Sequence, residues 1–161
     1  MAEPLLNRAL PLARWSPIAP HLLQRIYGSL ILAAPDEVAA FAVVERAEST
    51  LSNEDACLFC TIMLDLPAAR ASAAVGDTER TQRFLKSAEL SAQEWEGTAW
   101  HAAVLETQAF VAQSEGRDND AQRLLSEAQT LFEASGQPLD AARCRVGFPA
   151  VQSPTEPSAA G

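Results

Sequence analysis

An internal repeat constrains the fold of this chain more than any other feature of its sequence. The first copy runs from Gly76 to Ala103, and the second, which begins 40 residues later, runs from Gly116 to Arg143. At this offset the segment Gln-Arg-Phe-Leu that begins at Gln82 is matched by Gln-Arg-Leu-Leu from Gln122. A repeat of this length is typical of stacked helical pairs, so the sequence predicts an all-α solenoid.

The composition agrees with an all-α domain and narrows the classes of partner. A chain of 161 residues is about one domain, with 48% hydrophobic but only 6% aromatic residues and abundant alanine. The net charge is −9. Binding to nucleic acid requires a basic protein surface that neutralises phosphates, and binding to an anionic membrane also requires a basic surface. We therefore expect no direct nucleic-acid partner and no membrane partner.

The periodicity of apolar residues predicts about seven helices, paired antiparallel through short turns. Residues 1–15 are interpreted as the remnant of a preceding repeat, residues 16–147 as the repeat domain, and residues 148–161 as a disordered tail without periodicity. One long helix is predicted over Glu54–Val75 with Pro67 inside it. Because proline removes a helical hydrogen bond, a kink or break is expected near Asp65 and Leu66.

The sequence predicts that the protein is cytoplasmic. The N-terminus is acidic and carries early prolines, unlike a signal peptide, and the longest apolar run is too short to span a bilayer. Three cysteines without secretory context make a disulfide framework improbable.

Cys57 and Cys60 form a C-x-x-C pair. On a helix these positions share a face, so both sulfurs could hold one metal ion or form a redox pair. A closed zinc site needs four ligands, and Cys144, His21 and His101, which could supply more, are distant in sequence. Burial between helices is the interpretation favoured for the pair, with thiol chemistry and metal binding as the alternatives.

A ligand or partner groove is expected on the concave face of the solenoid. Its contacts should come from the helices predicted over Asp55–Val75 and Ala99–Ser114. Trp100 and His101 lie at the turn around Gly97, and Asp65 is flanked by apolar residues just before Pro67. The candidate groove residues are Asp65, Arg70, Trp100, His101 and Gln108.

Four motifs carry a resemblance to a known family: Gly76–Glu89, Gly97–Trp100, Ala109–Ala128 and Phe132–Arg143. Together they resemble tetratricopeptide-like repeats. They are similar in particular to the C-terminal repeat region of actinobacterial STAND-type ATPase regulators of the LuxR-like class, over roughly residues 16–145. The resemblance implies a solenoid that senses a small molecule or protein and relays this to an ATPase and an effector domain.

The chain departs from that full architecture, since it has no phosphate-binding Gly-x₄-Gly-Lys-Ser/Thr loop and no basic helix-turn-helix after Arg145. If the resemblance holds, this chain corresponds to the sensor or scaffold part of such a regulator alone. We expect a non-enzymatic interaction or ligand-sensing module of a transcriptional or signalling regulator, without a cofactor, whose partner is a protein, a peptide or a small-molecule effector. The alternative is a redox or metal sensor that uses Cys57 and Cys60. Self-association through exposed solenoid ends stays open.

Overall fold

The computed structural model describes residues 2–51, 57–95 and 98–148. These residues form an all-helical structure, which confirms the predicted all-α helical-repeat fold. The described residues contain eight helices rather than about seven: α1 (Glu3–Arg14), α2 (Ala19–Leu32), α3 (Glu37–Thr50), α4 (Ile62–Ala74), α5 (Thr78–Gln93), α6 (Ala99–Ser114), α7 (Asp118–Ala134) and α8 (Pro138–Val146). The additional helix is α1, which packs on α2.

The 40-residue offset of the repeat relates two helical pairs, because α4 and α5 correspond to α6 and α7 at this offset. Each pair turns at a glycine with positive φ, 78° at Gly76 and 74° at Gly116. In both turns the N–H that follows the glycine donates to the carbonyl four residues before the glycine, at 2.9 Å for Ser72 and 2.8 Å for Ala112. Glycine adopts this left-handed conformation without the cost of a Cβ, so each glycine ends one helix and starts the return.

Helix α4 lies at the centre of the described structure and contacts α2, α3, α5 and α6. A helix that packs on so many sides must be apolar around most of its circumference. Its buried residues are Ile62, Leu64, Asp65, Leu66, Pro67, Ala68, Ala69, Ala71 and Ser72. The carboxyl group of Asp65 is therefore carried into the interior by the packing of its own helix.

Helix α4 runs through Pro67, so of the kink or break expected near Asp65 and Leu66 the break does not occur. The helix also begins at Ile62, and the predicted start at Glu54 lies outside the described residues. Proline has no N–H, so the carbonyl of Met63, four residues earlier, loses its helical donor.

The backbone of α2 fills the space next to this carbonyl. A Cβ added to Gly28 on α2 would lie 2.0 Å from the Met63 carbonyl oxygen, far inside van der Waals contact. Only glycine lets the two helices approach this closely. The distance between α2 and α4 is thus set by one backbone contact.

Replacing Gly28→Ala should force the two helices apart and lower the free energy of unfolding by roughly 1–3 kcal/mol or more. Chemical denaturation monitored by circular dichroism measures this change. Ser29→Ala, at the exposed neighbouring position of α2, is the control and should change stability by less than about 0.5 kcal/mol. Equal stability of the two variants would contradict the backbone contact.

Candidate functional site

A cavity of about 400 Å³ lies between α2, α3, α4 and α5. Two polar side chains line it although each is almost fully buried: Asp65 of α4 is 5% exposed and Gln24 of α2 is 4% exposed. The other lining residues are Val44, Ala47, Glu48, Leu51, Thr61, Leu64, Arg83, Phe84 and Ser87. The cavity thus combines apolar walls with a few polar groups, which is the usual composition of a small-molecule site.

Two residues that line this cavity each have a buried oxygen atom without a hydrogen bond to any described residue. Neither Asp65 Oδ2 nor Gln24 Oε1 has a partner among the described residues, and both atoms are buried. A buried polar atom without a partner costs about 1–3 kcal/mol. A bound molecule that donates hydrogen bonds to both oxygens would recover this cost.

Burial also changes the acidity of Asp65. Loss of solvation raises the pKa of its carboxyl group to about 7, while the hydroxyls of Ser87 and Thr61 and the charge of Arg83 act in the opposite direction. Near neutral pH the group is therefore divided between its neutral and ionised forms. A cation placed next to it would favour the ionised form.

The charged groups at the edge of the cavity largely balance one another. Glu48 of α3 accepts hydrogen bonds from Arg80, at 3.1 Å, and from Arg83, both on α5. Arg80 also binds Asp77 at 2.7 Å. Because these groups compensate one another, Asp65 is the carboxyl group of the cavity without an ion-pair partner among the described residues.

A second cluster lies next to this cavity and contains His21, Cys57 and Cys60. The His21 Nδ1 atom is 3.2 Å from Cys60 Sγ, and one ligand atom from each residue lies within 4.8 Å of the others. Burial and the neighbouring Cys57 raise the pKa of the Cys60 thiol. The two cysteines lie in the turn before α4, whereas the sequence places them on the helix itself.

The sequence singles out the two cysteines but does not identify His21 as their neighbour. No local spacing connects a histidine near the start of α2 with a turn more than 30 residues later. The contact depends on the packing of α2 against α4, so only the tertiary structure reveals it.

Two of the predicted groove residues lie in one cavity. Arg70 and Trp100 both line a cavity of about 580 Å³ that residues of α2, α4, α6 and α8 form. The Arg70 guanidinium lies 4.8 Å from the ring centre of Phe110 and 4.9 Å from that of Phe148. Burial lowers the pKa of Arg70.

Phe148, the first residue of the predicted tail, packs on the helical body through its contact with Arg70. Residues 149–161 lie outside the described part.

Glu106, which lines the same cavity, is another buried carboxylate, 3% exposed. Arg143 of α8 binds both of its oxygens, at 2.6 and 2.8 Å, and raises its own pKa by doing so. Such bidentate pairs are geometrically specific. Glu106, which sequence reasoning missed, therefore has a structural partner and joins α6 to α8.

The remaining predicted groove residues do not join Arg70 and Trp100. Asp65 lies in the separate cavity between α2 and α5, and the side chain of His101 is exposed. Gln108 donates a hydrogen bond to Glu89 of α5 at 2.7 Å. The predicted set therefore divides among two cavities and the outer surface.

Both ends of the described helical stack expose apolar side chains. Leu12 and Trp15 at the N-terminal end are 75% and 90% exposed, and Leu139 and Val146 of α8 are 84% and 87% exposed. These are the surfaces expected for self-association, which stays a prediction. Among the described residues, no helix has both the length and the apolar character required to cross a membrane.

Comparison with protein-family models, curated proteins and solved structures found no match to this chain. The resemblance to the repeats of STAND-type regulators therefore stays a prediction, and the candidate sites must be judged on their own chemistry.

The raised pKa of Asp65 predicts a pH-dependent stability. The folded state holds a proton on this group between about pH 4 and 7, where the unfolded chain has released it. The resulting stabilisation is fully present below about pH 4 and is lost as the pH rises through 7. A rise of the Asp65 pKa from 3.8 to about 7 corresponds to a decrease in the free energy of unfolding on the order of 4 kcal/mol across this pH range. Asp65→Asn should remove this decrease.

Urea denaturation of both proteins between pH 4 and 8 measures this difference, because all other groups titrate alike in the pair. Asp118→Asn, at an exposed position on α7, is the matched control and should keep the wild-type pH profile. Identical profiles for wild type and Asp65→Asn would show that the carboxyl group is not desolvated.

Proposed function

We propose that this chain is a ligand-sensing helical-repeat module that binds a small molecule with a protonated amino group in the cavity between α2, α3, α4 and α5. The observation that carries this proposal is that two residues lining one cavity, Asp65 and Gln24, each have a buried oxygen without a partner among the described residues. An ammonium group has three N–H donors and no acceptor, so it offers enough donors for both oxygens.

The charge of the cavity favours a cation over an anion. Glu48 and Arg83 pair with each other at the edge, so the ionised form of Asp65 is the uncompensated charge inside. An anionic ligand would place a second negative charge beside it. A neutral donor could bind the oxygens, but it would gain less from the carboxylate.

The apolar walls select the rest of the ligand. Val44, Leu64 and Phe84 can contact a short hydrocarbon chain or ring. A cavity of about 400 Å³ lies in the lower part of the range for small-molecule sites. The favoured ligand class is therefore a small amine with an apolar body.

Binding would act on the packing of the helices. The two oxygens belong to α2 and α4, and the cavity walls add α3 and α5, so the ligand would join two successive helical pairs. A ligand that binds only the folded arrangement stabilises that arrangement. The proposal contains no catalytic step, because the output is this change in helix packing. The repeat motifs favour a place for such a sensor in a cytoplasmic transcriptional or signalling regulator.

Thermal unfolding with matched probes tests the proposal. n-Butylamine at about 10 mM, enough to occupy a site of millimolar affinity, should raise the unfolding temperature. 1-Butanol and butyrate, which match the chain but not the charge, should not. The amine effect should be absent in Asp65→Asn and present in the control Asp118→Asn.

The pH supplies a further check, because the amines remain protonated while Asp65 titrates. Below about pH 7, where Asp65 becomes protonated, the apparent affinity for butylamine should decrease by a factor that approaches ten for each pH unit. Equal shifts from butylamine and butanol, an amine effect that survives in Asp65→Asn, or no response to any amine would each contradict the proposal.

A further inference from the structure

We propose that His21, Cys57 and Cys60 form a zinc-binding site with one open coordination position. The three side chains come from two separate parts of the fold, the first turn of α2 and the turn that leads into α4. Their ligand atoms nevertheless lie within 4.8 Å of one another. This inference is independent of the proposed amine cavity, which uses other side chains.

The distances bring the three ligand atoms to within about 1 Å of the separations in a tetrahedral zinc site. With Zn–S bonds of about 2.3 Å and Zn–N bonds of about 2.0 Å, the ligand atoms of such a site lie roughly 3.5–3.8 Å apart. The His21 Nδ1 to Cys60 Sγ distance is 3.2 Å, and the upper bound for the three atoms is 4.8 Å. Movements of about 1 Å or less, within reach of side-chain rotation, would bring all three atoms to an ion.

The ligand set matches the preferences of zinc. Two thiolates and one neutral imidazole are borderline-soft ligands, and their total charge of −2 balances Zn²⁺. Binding would release one proton from each thiol, while His21 would offer the lone pair of Nδ1 and keep its proton on Nε2. The described residues supply three ligands, so the fourth position is left for water or an exogenous ligand.

The third cysteine shows what a purely structural thiol looks like in this fold. Cys144 is 4% exposed and packs with Ala102, Phe132 and Ala141 in an apolar cluster. Cys57 and Cys60 are only half-buried, and neither belongs to an apolar cluster of the described structure. Packing in an apolar cluster therefore accounts for Cys144, but it does not account for the contact of Cys57 and Cys60 with His21.

A redox pair is the other chemistry open to Cys57 and Cys60. In a disulfide the two sulfurs form the bond, and His21 would act only as an acceptor for the thiol proton of Cys60. Coordination of one ion would instead use all three ligand atoms of the cluster.

Metal titration of the full chain under anaerobic, reducing conditions tests the site. Co²⁺ should bind one ion per chain and give the visible d–d bands of a tetrahedral site together with thiolate charge-transfer absorption, and Zn²⁺ should displace it. Cys57→Ser, Cys60→Ser and His21→Ala should each weaken Zn²⁺ binding by at least about 100-fold. The matched controls Cys144→Ser and His101→Ala should bind as the wild type does.

A second measurement needs no variant. Zn²⁺ should protect both Cys57 and Cys60 of the wild-type protein from alkylation. Peptide mass spectrometry identifies which cysteines are alkylated. The site would be refuted by the absence of a tetrahedral Co²⁺ spectrum, by unprotected thiols, or by a Cys57–Cys60 disulfide that persists in reductant. Unchanged affinity in a folded His21→Ala protein would equally overturn the three-ligand assignment.

Discussion

The contact of α2 with α4 organises both candidate sites. At Gly28 the α2 backbone lies against the Met63 carbonyl, which Pro67 deprives of its helical donor. His21 and Gln24 precede Gly28 on α2 by seven and four residues, so all three lie on one face of the helix. This face places His21 beside the cysteines and Gln24 on the wall of the cavity. A shift of α2 would therefore change the two sites together.

Two buried carboxylates show how the surroundings decide the part that a side chain plays. Glu106 is 3% exposed, but Arg143 binds both of its oxygens, so its burial is compensated within the fold. Asp65 is buried to a similar extent, yet one of its oxygens lacks a partner among the described residues. An ion pair accounts for Glu106 as a link between α6 and α8, whereas Asp65 retains capacity for a ligand.

The repeat predicts the helical pairs because its signals are local: glycines at turns and apolar residues at helical spacing. Long-range contacts decide the rest. The helix does not break near Asp65 and Leu66, because the surrounding helices pack on α4 and Gly28 has no Cβ to collide with the freed carbonyl. Asp65 is recognisable in the sequence from its apolar neighbours. His21 and Gln24 are not, because their significance depends on which helix α2 packs against.

The proposed amine site depends on Asp65 being a desolvated carboxyl group that can bind a cation. Its titration can be followed directly by ¹³C NMR of the labelled side-chain carboxyl group, with Asp65→Asn used for assignment. We expect a pKa of about 7 in the free protein and a clear decrease of this pKa when butylamine is added. A pKa near the ordinary aspartate value, or one that does not respond to the amine, would contradict it.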